Sequence, residues 1–118
     1  MSQSTILALL PQTTFVSPQS DVVGNTTPAA AYYLGNQNLQ TISYKFDSVT
    51  ANLIIEGTLA TTPGDADWFK LHEVIANNQQ NVNSNINSFT NLTGNFTYMR
   101  ARLDDFDNGV VQFVKISY

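Results

Sequence analysis

The sequence has no cysteine, few charges and no long apolar run, and each absence removes a class of function. Without cysteine there is no disulfide, no thiol nucleophile and no thiolate metal site. In a domain this small the same absence favours synthesis in a reducing cytoplasm. Charged residues make up 12% of the chain, about half the usual share. Only five residues are basic, they form no cluster, and the formal net charge is −4. Nucleic-acid binders carry a basic stripe, and anionic membrane surfaces attract the same feature, so neither partner is expected. No apolar run reaches the roughly 18 residues a membrane helix needs. The opening Met1–Leu10 has no basic leading region and only a short apolar run, so it is expected to belong to the mature protein rather than to a signal peptide.

Asn, Gln, Ser and Thr stand where Lys, Glu and Arg would in a helical protein, a composition that suits strands, turns and partner-covered surfaces. A chain of 118 residues is one domain by size. It divides into an N-terminal arm with edge strands over 1–38 and a core over 39–118. The arm is punctuated by Pro11, Pro18 and Pro28, which exclude a long helix. Its apolar clusters, Ile6–Leu10 and Phe15-Val16, suit an edge strand in the same subunit or a strap across a neighbour, a disordered arm being the third reading. Val22-Val23 and Ala29–Leu34 are each expected to add a short strand.

From Leu39 the apolar period becomes two. Ile42, Tyr44 and Phe46 alternate with Ser43 and Lys45, then a polar Asp47-Ser48 connection leads to a second strand, Ala51–Gly57. A turn over Thr61–Asp67 precedes a third strand, Asp67–Ile75, with Phe69, Leu71 and Glu73 on one face and Trp68, Lys70 and His72 on the other. The amide-rich stretch 76–95 reads as a long loop leading to a short strand, because so many Asn residues oppose a helix. Phe96–Leu103 and Val110–Tyr118 read as a closing hairpin, with Asp107-Asn108-Gly109 as its turn. The fold class is therefore all-β, an antiparallel β-sandwich or jelly-roll-like domain with an extended arm.

Few residues have the pattern of a chemical site. His72 is the sole histidine, its strand-face neighbours are Trp68 and Lys70, and no Gly-x-Ser-x-Gly motif occurs. Glu56 and Glu73 fall on adjacent strands, where paired carboxylates serve glycoside hydrolysis but where surface pairs are far commoner. Asp104, Asp105, Asp107 and Asn108 make an oxygen-rich tip that calcium would accept, although the spacing is not that of an EF-hand and turn chemistry explains it. Asp65 and Asp67 form a second acidic turn. Arg100 and Arg102 share a face with Phe96 and Tyr98, an arrangement for an ion pair across the sheet, a subunit contact or a sugar. No enzyme activity, metal or cofactor is expected.

One ordered set of segments carries a resemblance: Ala51-Asn-Leu-Ile-Ile-Glu-Gly-Thr-Leu59, Asp67-Trp-Phe-Lys-Leu71, an Asn/Thr-rich loop, Gly94-Asn-Phe-Thr-Tyr-Met-Arg-Ala-Arg-Leu103 and Gly109-Val-Val. Over about residues 39–118 this order resembles a module of tailed-bacteriophage structural proteins, and is broadly similar to discoidin-type, galactose-binding-like β-sandwiches. The resemblance implies a virion component made in the bacterial host cytoplasm: a capsid decoration, neck or tail protein whose partners are copies of itself and other phage structural proteins. The residues expected at subunit contacts are Ile6, Leu7, Leu9, Leu10, Phe15, Arg100 and Arg102. The alternative is a carbohydrate-binding module for adsorption to a host surface, with Trp68, Tyr98 and Arg100 at the sugar.

Overall fold

The computed structural model describes residues 6–16, 21–30 and 39–118. The expected Ala29–Leu34 strand falls mostly on residues 31–34, outside the described residues. The elements are β1 (Ile6–Leu10), β2 (Thr13–Thr14), β3 (Val22–Val23), β4 (Thr27–Pro28), β5 (Leu39–Thr58), β6 (Phe69–Ala76), β7 (Asn87–Thr93) and β8 (Tyr98–Ser117), with 3₁₀ turns at Asp65–Asp67 and Asn78–Gln80. Every strand pairing is antiparallel. The all-β antiparallel architecture read from the sequence is the one observed.

Two strands of 20 residues organise it. β5 and β8 pair along almost their whole length, from Thr41 opposite Ser117 to Thr58 opposite Tyr98. Both bend midway. Ser48 (φ 54°) breaks β5, while Asp105 (φ 54°) and Gly109 (φ 92°) break β8. An extra residue in a strand exchanges its two faces. Gln40, Ile42, Tyr44 and Phe46 point inward before the break, and Val49, Ala51, Leu53 and Ile55 after it. In β8 the inward set moves from Met99, Ala101 and Leu103 through Phe106 to Val111, Val114 and Ile116.

The bends divide the sheet into two halves. In the first, β7, the start of β5, the end of β8 and β1 with β2 lie side by side. In the second, β6, the end of β5, the start of β8 and β3 with β4 do so. The inward residues of both halves form a single hydrophobic cluster, joined by Leu9, Leu10 and Ala29 from the arm. The molecule is 18 Å thick along its shortest axis, as two layers about 10 Å apart require.

The expected closing hairpin is corrected. Tyr98–Leu103 and Val110–Ser117 do not pair with each other; each pairs with its own part of β5. Asp, Asn and Gly are favoured at a bulge for the same reason as in a hairpin turn, since they accept positive φ. Likewise, Asp47-Ser48 is no loop between two strands but the bend of one. A Cβ at Gly109 would sit 2.2 Å from the Ser48 carbonyl oxygen, so the two bends are nested. Asn108 Nδ2 donates to that same oxygen at 3.2 Å, and the Ser48 amide donates to Asn85 Oδ1 at 2.9 Å.

The face assignment of β6 changes as well. Its register shifts where Ile55 meets His72 and Glu56 meets Lys70, leaving Leu71 as an extra residue. Lys70 and Glu73, expected on opposite faces, therefore come together in an exposed pair at 3.4 Å. The amide-rich segment is a loop leading to β7, as its composition indicates. Its Asn side chains replace backbone partners: Asn77 Oδ1 accepts from the Gln79 amide, and Asn83 Nδ2 donates to the Ile75 carbonyl, both at 3.0 Å.

Candidate functional site

The charged residues of the second half-sheet form a ladder on its outer face. β5 and β8 set Glu56 opposite Arg100, Ile54 opposite Arg102 and Asn52 opposite Asp104. Glu56 Oε1 accepts from Arg100 Nε at 2.8 Å, and Arg102 reaches both Glu56 (3.9 Å) and Asp104 (3.3 Å). The Glu56 side chain is only 8% exposed, and the Arg100 guanidinium lies over the half-buried Trp68, 4.4 Å from its ring centroid. Trp68 thus covers one guanidinium face and seals the pair from water, which strengthens a charge-assisted hydrogen bond. The ladder is internally neutralised. It holds two strands in register, and the Arg100 guanidinium occupies one face of the Trp68 ring. Tyr98, the other expected sugar contact, is half-buried at the start of β8, with interactions of its own.

The structure separates the expected subunit-contact residues into three groups. Leu9 and Leu10 are buried in the chain's own core, and Leu7 and Phe15 pack against it. Phe15 meets Phe106 edge-on with ring centroids 5.4 Å apart. Arg100 and Arg102 belong to the ladder. Ile6 alone is freely exposed, at 63%.

The groups weighed for catalysis or metal binding do not converge among the described residues. His72 lies opposite Ile55 at the β6 bulge. Glu56 is held by Arg100, and Glu73 by Lys70. Asp104 is spent on Arg102, and Asp67 Oδ2 accepts from the Gly64 amide at 2.7 Å. No group of three or more His, Asp or Glu side chains comes together among the described residues.

The sequence reading passed over the outer face of the first half-sheet. Cross-strand pairing aligns Asn91, Thr41, Ser117 and Ile6 in one row, Phe89, Ser43, Lys115 and Ala8 in the next, and Asn87, Lys45 and Phe113 in a third, with Leu39 beside Thr93. Ile6, Leu39 and Phe89 are 63, 51 and 63% exposed. The charges in these rows are two lysines, Lys45 and Lys115; Lys115 lies over the Phe113 ring at 4.4 Å. The alternation Leu39, Thr41, Ser43, Lys45 was the available signal. Between edge strands β6 and β7 the sandwich also gapes, leaving a shallow cleft of about 570 Å³ floored by Tyr44, Val74 and Ile86.

Fold and surface together define an antiparallel β-sandwich-like domain with a partly buried ion-pair ladder on one layer and a weakly charged, partly apolar face on the other. Comparison with known proteins gave no match to a family model, a curated protein or a solved structure.

Proposed function

We propose that this chain is a non-enzymatic structural module that works through contacts between subunits, as a component of a phage capsid, neck or tail. The observation that carries the assembly reading is the outer face of the first half-sheet. It combines exposed Ile6, Leu39 and Phe89 with Ser, Thr and Asn and few charges, Lys45 and Lys115 with Asp47 at the bend, on a chain of net charge −4. Interface cores are depleted in charge and enriched in aromatic residues, and burying Asn or Thr costs less desolvation than burying Lys or Glu. A modest contact of this kind becomes effective when symmetry repeats it. The phage assignment rests on the ordered segments from Ala51 to Val111 quoted above. The partners are copies of the same chain and other particle proteins.

Sedimentation velocity of the purified chain over a wide concentration range tests the assembly reading. Discrete oligomers that grow with concentration are expected. A monomer at every concentration contradicts it.

A further inference from the structure

We infer that the outer edge of β7 pairs antiparallel with β7 of a second copy, about a two-fold axis through Thr90; this rests on the assembly reading above and names its contact. A free sheet edge offers unpaired N–H and C=O groups to any other strand, and proteins blunt such edges with charge, proline, bulges or cover. The edges of this molecule differ sharply in that respect. The β1 edge is covered: the Asn25 amide donates to the Leu9 carbonyl at 2.8 Å, and Gly24 approaches so closely that a Cβ there would lie 2.2 Å from that oxygen. β3 and β4 are two residues each, and β4 ends on Pro28. β6 carries Lys70, His72 and Glu73, has a bulge, and gives its Ile75 carbonyl to Asn83.

Among the described residues, β7 has none of these devices. Asn87-Ser-Phe-Thr-Asn-Leu-Thr93 contains no charge, proline or glycine. It pairs with β5 through seven consecutive positions without a register shift, and no strand among the described residues pairs with its other side. In an antiparallel strand with one neighbour, alternate amides and carbonyls remain directed outward. Here they form a straight, neutral row.

A second copy fits this row because the strand is its own complement. Rotation about Thr90 sets Asn87 against Thr93 of the other copy, Ser88 against Leu92 and Phe89 against Asn91, so all seven residues pair and no like charges meet. The two Phe89 rings lie on the same outer face as diagonal neighbours, roughly 7–8 Å apart between backbones, within reach of each other. Each ring is 63% exposed in the single chain, so the pairing gives both a cover. Lys45 is the nearest charge in the adjacent strand. Its symmetry mate would be about 14 Å away across the strands and about 20 Å along them, well beyond the screening length of roughly 8 Å.

The test is a charge swap read by sedimentation equilibrium on the full chain. Phe89→Lys with Asn91→Lys places lysine against lysine twice across the axis, whereas Phe89→Lys with Asn91→Glu places lysine against glutamate. Both positions are exposed, so both variants keep the fold. The first is expected to weaken the dimer at least tenfold, and the second to restore most of that loss. As a geometric check, Thr90→Cys introduces the chain's sole thiol on the axis, and mild oxidation is expected to cross-link it, while Ile75→Cys on β6 forms no covalent dimer. Wild-type oligomers that persist unchanged in the lysine pair overturn the β7 contact and leave the assembly reading standing. A wild-type chain that never associates overturns both.

Discussion

Glu56 sits between two guanidinium groups with its carboxylate almost out of water, and Trp68 closes the site from one side. Such a pair contributes little net stability over a hydrophobic substitute, but removing one partner strands the other. Glu56→Ala is therefore expected to lower unfolding stability by about 3 kcal/mol. Combining it with Arg100→Met should cost less than the sum of the two single changes, because no unpaired charge is left at the centre of the ladder. Urea unfolding of the four proteins measures this coupling. The alignment of Arg100 with Arg102 was legible in the sequence, since residues two apart on a strand share a face. Their partner was not, because the pairing of Glu56 with Arg100 depends on which strand lies beside β5. The amide residues were similarly opaque. Gln40 is fully buried, its Nε2 donating to the Leu92 carbonyl at 2.9 Å and its Oε1 accepting from the Ala30 amide at 3.2 Å, contacts that depend on segments distant in sequence.

At the scale of elements, the bends in β5 and β8 are what make two layers from one sheet. Gly109 is the tightest point. Its φ of 92° disfavours any side chain, and a Cβ would run into the Ser48 carbonyl. Gly109→Ala is expected to destabilise by about 2 kcal/mol or more, measured as a shift of the urea midpoint with little change in slope. The hairpin expected here failed for an informative reason. Composition marks where a chain leaves the regular strand, but a turn that reverses direction and a bulge that exchanges faces use the same residues. The phase of the apolar residues separates the two cases. Leu103, Phe106 and Val111 maintain a buried side straight through Asp104–Gly109, whereas the tip of a hairpin would be polar throughout. The arm shows the opposite balance. Its apolar clusters were legible, and β1 places Leu9 and Leu10 in the chain's own core, so exchange of this strand between copies would have to dismantle that core.

For the whole molecule, the placement of charge and the finish of the edges point the same way. Asp47, Asp104, Asp105 and Asp107 lie at or beside the bend, and Lys45 and Lys115, which form no salt bridge among the described residues, lie on the stretch of the first half-sheet that leads up to it. The β1 and β6 edges are covered or charged, and no described residue strand-pairs with the outer side of β7. The all-β class was legible because alternation and turn chemistry are local signals. The contact face was not, because it arises only when β1, β5, β7 and β8 are set side by side. Hydrogen exchange on the wild-type chain, at dilute and concentrated protein, tests the central claim most directly. Protection in residues 87–93 is expected to rise with concentration while residues 69–76 on the β6 edge exchange at the same rate throughout. Exchange in 87–93 that is indifferent to concentration, in a sample that sediments as a monomer, would contradict the account.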